Sequence, residues 1–297
     1  MVILNNLLEV VLPAFFVIAV GIIIGRRFKP DIAPINRIAL FTTSPALIFH
    51  SLSKTELAFG NVAKLLFVYL LFLLVMISLS YLISYRFNIG SRRGLMATGS
   101  FANSGNLNLP IALFAFGQVG LELAVVLYVL TTALMFVLVP LIMTGGSKSF
   151  DFKRILALPV LWATLLALLI NVLHLQLPTG LDRGIEILSQ GAIPLVLLLL
   201  GMQIARSGLI RPSAVNIVGA FTKLVLSPII AFLLGSLFGL RGLNLSILVL
   251  IAAMPPAVMN FLLALEFDAS PEEVAGTIVL STIAALLTIS VVVSLLV

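Results

Sequence analysis

Phe101-Ala102-Asn103-Ser104-Gly105-Asn106-Leu107-Asn108-Leu109-Pro110 stands inside an otherwise apolar stretch, and its reading decides the fold. Pro removes a backbone donor and obstructs the helical turn before it. Asn and Ser side chains compete for nearby backbone groups. An apolar segment over 92–117 is therefore expected to unwind here. Unpaired backbone in lipid costs several kcal/mol per group, so a break is tolerated only against protein or a water-filled cavity. A single Asn reads equally well as a kink whose amide bonds a neighbour; this cluster reads as a site.

The surrounding composition says why lipid is the right solvent to consider. The chain has 297 residues, 61% of them hydrophobic and 9% charged, with a mean hydropathy of +1.26. A soluble domain is about half apolar and about a quarter charged, so a water-soluble enzyme and a disordered chain are both excluded. Ten apolar segments are read at 7–25, 32–52, 62–85, 92–117, 120–144, 154–173, 183–205, 213–238, 244–266 and 272–296. A crossing needs about 20 apolar residues, which leaves no room for a separate extramembrane domain. The runs do not alternate in polarity, as the strands of a membrane barrel would. With no Cys, disulfides, thiolate metal sites and thiol nucleophiles are excluded. No secretory signal peptide, cofactor motif or metal-ligand spacing is visible. The net charge of +6 is no nucleic-acid signature, because the basic residues lie in short loops.

Those loops predict orientation. Arg26, Arg27, Lys29, Arg37, Arg86, Arg92, Arg93, Lys148, Lys153, Arg154, Arg206 and Arg211 fall on one side, against Lys54, Lys64, Arg183 and Arg241 on the other. The richer side is expected to be cytoplasmic in a cell membrane, with both termini outside.

The halves echo each other by spacing. Leu12-Pro13 recurs as Leu158-Pro159, and Ser44-Pro45-Ala46-Leu47 as Ile193-Pro194-Leu195-Val196. Gly120-Leu121-Glu122 answers Pro271-Glu272-Glu273, and Thr131 falls on Thr282. Residues 1–144 and 154–297 thus read as two five-helix units joined by a linker at 145–153. Five is odd, so the second unit enters the membrane inverted, an architecture whose site lies at the midplane between repeats. Segment 9 carries its own interruption, Ala253-Met254-Pro255-Pro256-Ala257-Val258-Met259-Asn260, at the matching depth. Paired interruptions are the best sequence pointer to a transport site.

The chemistry of that site favours an anion. Half-helix N-termini carry about half a positive charge and free N–H donors. Asn103, Asn106, Asn108 and Asn260, with Ser104 and Gly105, supply neutral donors, and Pro110, Pro255 and Pro256 maintain the breaks. Every acidic residue, from Glu9 and Asp31 to Glu272 and Glu273, lies near a segment end or in a loop. A cation carrier is expected to place a carboxylate at the crossing. Lys223, deep in segment 8, reads as a charge balance or gate, or as a snorkelling or carbonyl-bonded residue. His50 and His174 sit near outer helix ends, as interface residues or proton relays. Thr131 and Thr132 read as interhelical hydrogen-bonding groups or a cation-site lining. An intramembrane serine protease needs His at the depth of Ser104, and both His are peripheral. A transporter-like sensor without transport stays open.

Pro13-Ala14-Phe15, Gly25-Arg26, Asn36-Arg37, Pro45-Ala46-Leu47-Ile48-Phe49-His50, Asn103 to Pro110 and Val279-Leu280-Ser281-Thr282 together resemble the auxin efflux carrier family nearly end to end. The resemblance implies an all-α membrane fold of ten transmembrane helices in two inverted repeats, with broken crossover helices 4 and 9, like that of the NhaA antiporter and the bile-acid sodium symporters. It implies scaffold helices 1, 2, 6 and 7 and transport helices 3–5 and 8–10. It further implies a homodimer, elevator-type movement and small organic carboxylates as substrates. Sodium- or proton-coupled symport on the same fold is the alternative. The short linker, Asn108 where family members commonly have Gly, and Ile48 where plant carriers have Ser depart from the plant pattern.

Overall fold

The structure, a computed structural model, describes residues 7–55, 59–146, 156–206 and 212–296. Most of the 145–153 linker lies outside the described residues, as do Lys148, Lys153, Arg154 and Arg211 of the orientation count and the acidic Glu56 and Asp151. Among the described residues the fold is all-helical, with one isolated antiparallel bridge and no strand.

The helices are α1 (Leu12–Phe28), α2 (Ile32–Ile38), α3 (Ser44–Ser53), α4 (Phe59–Ile83), α5 (Ile89–Ser100), α6 (Asn108–Thr144) and α7 (Pro159–Val172). After them come α8 (Thr179–Arg206), α9 (Ala214–Phe221), α10 (Ser227–Leu237), α11 (Leu243–Ala253), α12 (Met259–Phe267) and α13 (Pro271–Leu296). Among the described residues seven stretches are long and apolar enough to cross a bilayer, and α7 and α11 are shorter apolar helices. Their outer faces present Leu237, Leu295, Ile187 and Phe16, each more than 60% exposed, as a lipid-facing surface requires.

Prolines punctuate these helices by one mechanism. Five-residue π-turns at Leu7–Val11, Ala39–Thr43 and Thr222–Leu226 each run directly into a helix with Pro in its first two positions: Pro13, Pro45 and Pro228. The ring blocks the carbonyl four residues back, and the wider turn relieves the clash. Pro194, matched to Pro45 by spacing, instead sits inside α8 with no such turn. Segment 6 begins at Pro159 because Leu158 is extended, as a residue before Pro prefers.

Segments 4 and 5 separate as expected: the run α6 is two helices that meet at Gly117, whose non-helical φ of 67° and ψ of −160° only glycine adopts readily. Thr131 and Thr282 behave alike, each buried and donating to the carbonyl one turn back, at 2.6 and 2.7 Å.

Packing falls into two groups. α1, α3, α7 and α8 pack chiefly on one another, with α1 on α8 the most extensive pair. That contact depends on absent side chains: a Cβ at Gly201 would lie 2.8 Å from Gly21 Cα, and one at Gly25 would lie 2.8 Å from Ala205 Cβ. Small residues let membrane helices approach closely where lipid offers no hydrophobic drive. The second group joins α4 to α5, α10 to α11, and α9 to α13, with α6 against α11 and α12.

Candidate functional site

α5 ends where Phe101 turns extended, at φ −98° and ψ 106°. α11 ends where Met254, preceding Pro255, does the same at φ −68° and ψ 145°. The two extended pieces meet side by side. Ala102 and Pro256 form the antiparallel bridge. Asn103 N donates to Pro255 O at 2.8 Å, and Ala257 N donates to Phe101 O at 3.0 Å. Each break thus supplies the backbone partners that the other lost, the condition for non-helical backbone at membrane depth.

Asn103 organises the first break. Its Oδ1 accepts from Asn106 N at 3.1 Å, and its backbone carbonyl accepts from Asn108 N at 3.2 Å. With Oδ1 engaged, Nδ2 is left as a donor that is buried and without a partner. Gly105 lies against Tyr128, where a Cβ would come within 2.7 Å of the ring. Pro110 falls in the first turn of α6, where its missing N–H leaves no bond unmade. On the second break Asn260 Nδ2 donates to Phe101 O at 3.1 Å, tying α12 to the end of α5.

A cavity of about 190 Å³ opens beside this meeting point. Asn103, Ser104, Gly105 and Asn106 line it from the first break, and Ala257, Val258 and Met259 from the second. Tyr128, Thr132, Met135 and Phe136 of α6 add a third side. The other packing group closes it with Asn36, Leu40 and Phe41, the segment Ala157–Val160, and Gln203 of α8. Among the described residues none that is charged lines it. Ligand pockets for drug-sized molecules run from about 300 to 1,000 Å³, so this space suits something smaller.

The structure separates the other candidates. Asn108 and Asn260 are fully buried and not on the cavity wall; both amide atoms of Asn108 and Oδ1 of Asn260 lack partners. Thr132 lines the cavity, whereas Thr131 is tied to the Tyr69 hydroxyl at 2.5 Å. Pro255 and Pro256 form the second break without lining the cavity, and Pro45 lies in the first turn of α3. Lys223, wholly buried, does not snorkel: its Nζ donates to Ser227 Oγ at 3.3 Å, and Ser227 donates to Ala252 O at 2.8 Å. The Lys223 amine is thereby linked to the carbonyl end of α11, where the helix dipole is negative. His50 is half-buried on α3, away from the cavity. Among the described residues no group of His, Asp and Glu could hold a metal ion.

Sequence reading missed the wall opposite the breaks. Gln203 is the single polar side chain between Gly191 and Ala205, which was a legible signal. Asn36 sits beside Arg37, and nothing in its spacing marks it.

Bundled apolar helices interrupted at a polar cavity define a membrane transporter, and comparison with known proteins agrees. The family described as membrane transport protein matches residues 146–293. An uncharacterized transporter of Methanothermobacter thermautotrophicus is 31% identical over 293 residues, spanning 95% of each chain. A Rhizobium meliloti protein named "Putative malonate transporter" is 26% identical over 94% of this chain and 92% of its own. Auxin efflux carrier component 8 of Arabidopsis thaliana is 25% identical over 141 residues, 46% of this chain and 38% of its own. The chain belongs to the membrane transport protein family that includes the auxin efflux carriers. It is a multi-pass membrane transporter and not an enzyme.

Proposed function

We propose that this transporter carries small organic anions, held at the meeting of the two breaks. The observation that carries the reading is the 190 Å³ cavity whose described lining is uncharged and includes Asn103 of the first break, with an Nδ2 that has no partner. A carboxylate accepts such donors, and the α6 N-terminus beside them favours negative charge. The Rhizobium relative named for malonate supports a short carboxylate.

In this reading the chain crosses a cell membrane ten times, as two inverted repeats, with α5 plus the first turns of α6 as crossing 4 and α11 plus α12 as crossing 9. α1–α3, α7 and α8 form the scaffold through which two copies pair, and the remaining helices form a transport domain that moves against it. The two packing groups, with the cavity between them, support that division. Asn36 and Gln203 lie next to Arg37 and three residues from Arg206, which supports a cavity facing the basic, cytoplasmic side. At the opposite end Thr55, after α3, donates to Glu122 of α6 at 2.6 Å, as an outer closure between the two groups would.

The test is carboxylate flux in proteoliposomes. Asn103→Ala is expected to abolish it while the purified protein stays folded. Full flux in that variant overturns the site. Running the same vesicles with and without pH and sodium gradients separates potential-driven uniport from coupled symport.

A further inference from the structure

The end of α4 and the start of α5 hold a cation that the transport reading does not use. α4 closes in a 3-10 turn, Ser84–Arg86, and Asn88 caps α5 by accepting from Ser91 N at 2.9 Å. The hairpin so formed folds Arg92 back onto the end of α4. Its guanidinium carbon lies 5.5 Å from the Tyr81 ring centre and 4.8 Å from that of Tyr85, and Nη2 donates to Tyr85 O at 2.8 Å. Two aromatic rings and a carbonyl thus fix the side chain. Nη1 is left at the surface without a hydrogen bond.

Among the described residues no carboxylate lies within ion-pair distance of Arg92. The acidic start of α13 packs on the other side of α5, where Gly90 and Gly94 meet Ser270 and Val274. Arg92 lies about half a helical turn from both glycines. Arg86 adds a second, exposed positive charge. The surroundings are apolar and open, with Leu82, Tyr85 and Ile89 all exposed. Tyrosine beside exposed aliphatic side chains marks the boundary between hydrocarbon and headgroups. This end is the one expected to be cytoplasmic, where anionic lipids concentrate.

We propose that Arg92, framed by Tyr81 and Tyr85, binds the phosphate of an anionic phospholipid, with Leu82 and Ile89 against its acyl chains. The planar fork of a guanidinium matches phosphate oxygens, and a fork already held in place loses less freedom on binding. A choline headgroup brings its own cation to compete for the phosphate, and a glycerol headgroup does not. α4 and α5 belong to the second packing group, so the lipid is held by that group and not by the α1–α8 pair.

The experiment is native mass spectrometry of the full-length protein in detergent, titrated with phosphatidylglycerol or phosphatidylcholine of matched acyl chains. Wild-type protein is expected to bind its first phosphatidylglycerol about tenfold more tightly than its first phosphatidylcholine. In Arg92→Gln that ratio falls toward one, because phosphatidylglycerol is lost while phosphatidylcholine binds as before. Arg27→Gln, which removes an exposed arginine at the end of α1, leaves the preference intact. A wild type without preference overturns the proposal whether or not the variants fold. A preference that survives in Arg92→Gln, or that falls equally in Arg27→Gln, overturns the assignment to this hairpin. Glycerol phosphate that displaces the lipid at equal concentration overturns the lipid as the occupant.

Discussion

At the scale of single residues the structure turns on polar atoms that an apolar chain has no evident reason to bury. Asn103 engages its side-chain oxygen and its carbonyl to close the first break, and its amide nitrogen is left buried without a partner. Gly105 is needed for a different reason, since Tyr128 fills the place of its side chain. Gly105→Val is expected to push the ring into the cavity and cut carboxylate flux at least tenfold, with little change in expression; unchanged flux refutes the contact. Lys223 is the residue-scale anomaly, a wholly buried lysine whose hydrogen bond goes to Ser227. In an effective dielectric near 20, a positive charge on the order of 10 Å from an anion is worth about 2 kcal/mol, more than tenfold in binding. Lys223→Met is therefore expected to weaken anion binding by about that factor, measured as KM in flux assays. Lys223→Arg should keep it within about threefold. Replacing a buried charge with an apolar side chain is often neutral or stabilising, so the thermal midpoint of Lys223→Met should hold. Equal binding by the Met and Arg variants would remove Lys223 from the electrostatics of the site.

At the scale of helices, sequence and structure agree where proline chemistry is local and part where partners matter. Interruptions at 101–110 and 254–260 were legible because Pro, Asn and Gly alter the backbone wherever they stand. The π-turns before Pro45 and Pro228 follow from the same chemistry. The break at Gly117 was legible too, because a glycine stands where one apolar segment ends and the next begins. Leu12-Pro13 and Leu158-Pro159 both open helices, but one follows a π-turn and the other an extended residue. The closest helix pair, α1 on α8, depends on Gly21 and Gly201. A Cβ at Gly201 meets Ile18 O and Gly21 Cα. Gly201→Val is expected to force these helices apart at a cost of about 1–3 kcal/mol, read as a fall of several degrees in the detergent unfolding midpoint. A midpoint equal to wild type would mean that the pair does not pack so closely.

At the scale of the whole molecule, the contact of Thr55 with Glu122 joins the end of α3 to α6 across the two packing groups. If the groups move against each other during transport, that contact must open. The chain has no Cys, so an introduced pair reports without background. Thr55→Cys combined with Glu122→Cys, bridged by a short thiol-reactive crosslinker, is expected to stop flux, and a cleavable crosslinker to restore it on reduction. Flux that continues in the bridged protein would show that the groups stay fixed there.

By itself the sequence determined that this chain lives in lipid, that it is helical, and that two of its segments break. Those properties follow from composition and from the backbone chemistry of Pro, Gly and Asn, which act where they stand. Only the tertiary structure decided what the breaks do for each other. The pairing of Asn103 with Pro255 and of Ala257 with Phe101 joins residues about 150 positions apart, and no local rule carries that distance. It also decided which polar residues share a cavity. Asn103, Ser104 and Asn106 reach it, while Asn108 and Asn260 are buried elsewhere. Gln203 and Asn36 arrive from helices whose sequences name no partner, because a cavity wall is set by how helices pack and not by any one helix.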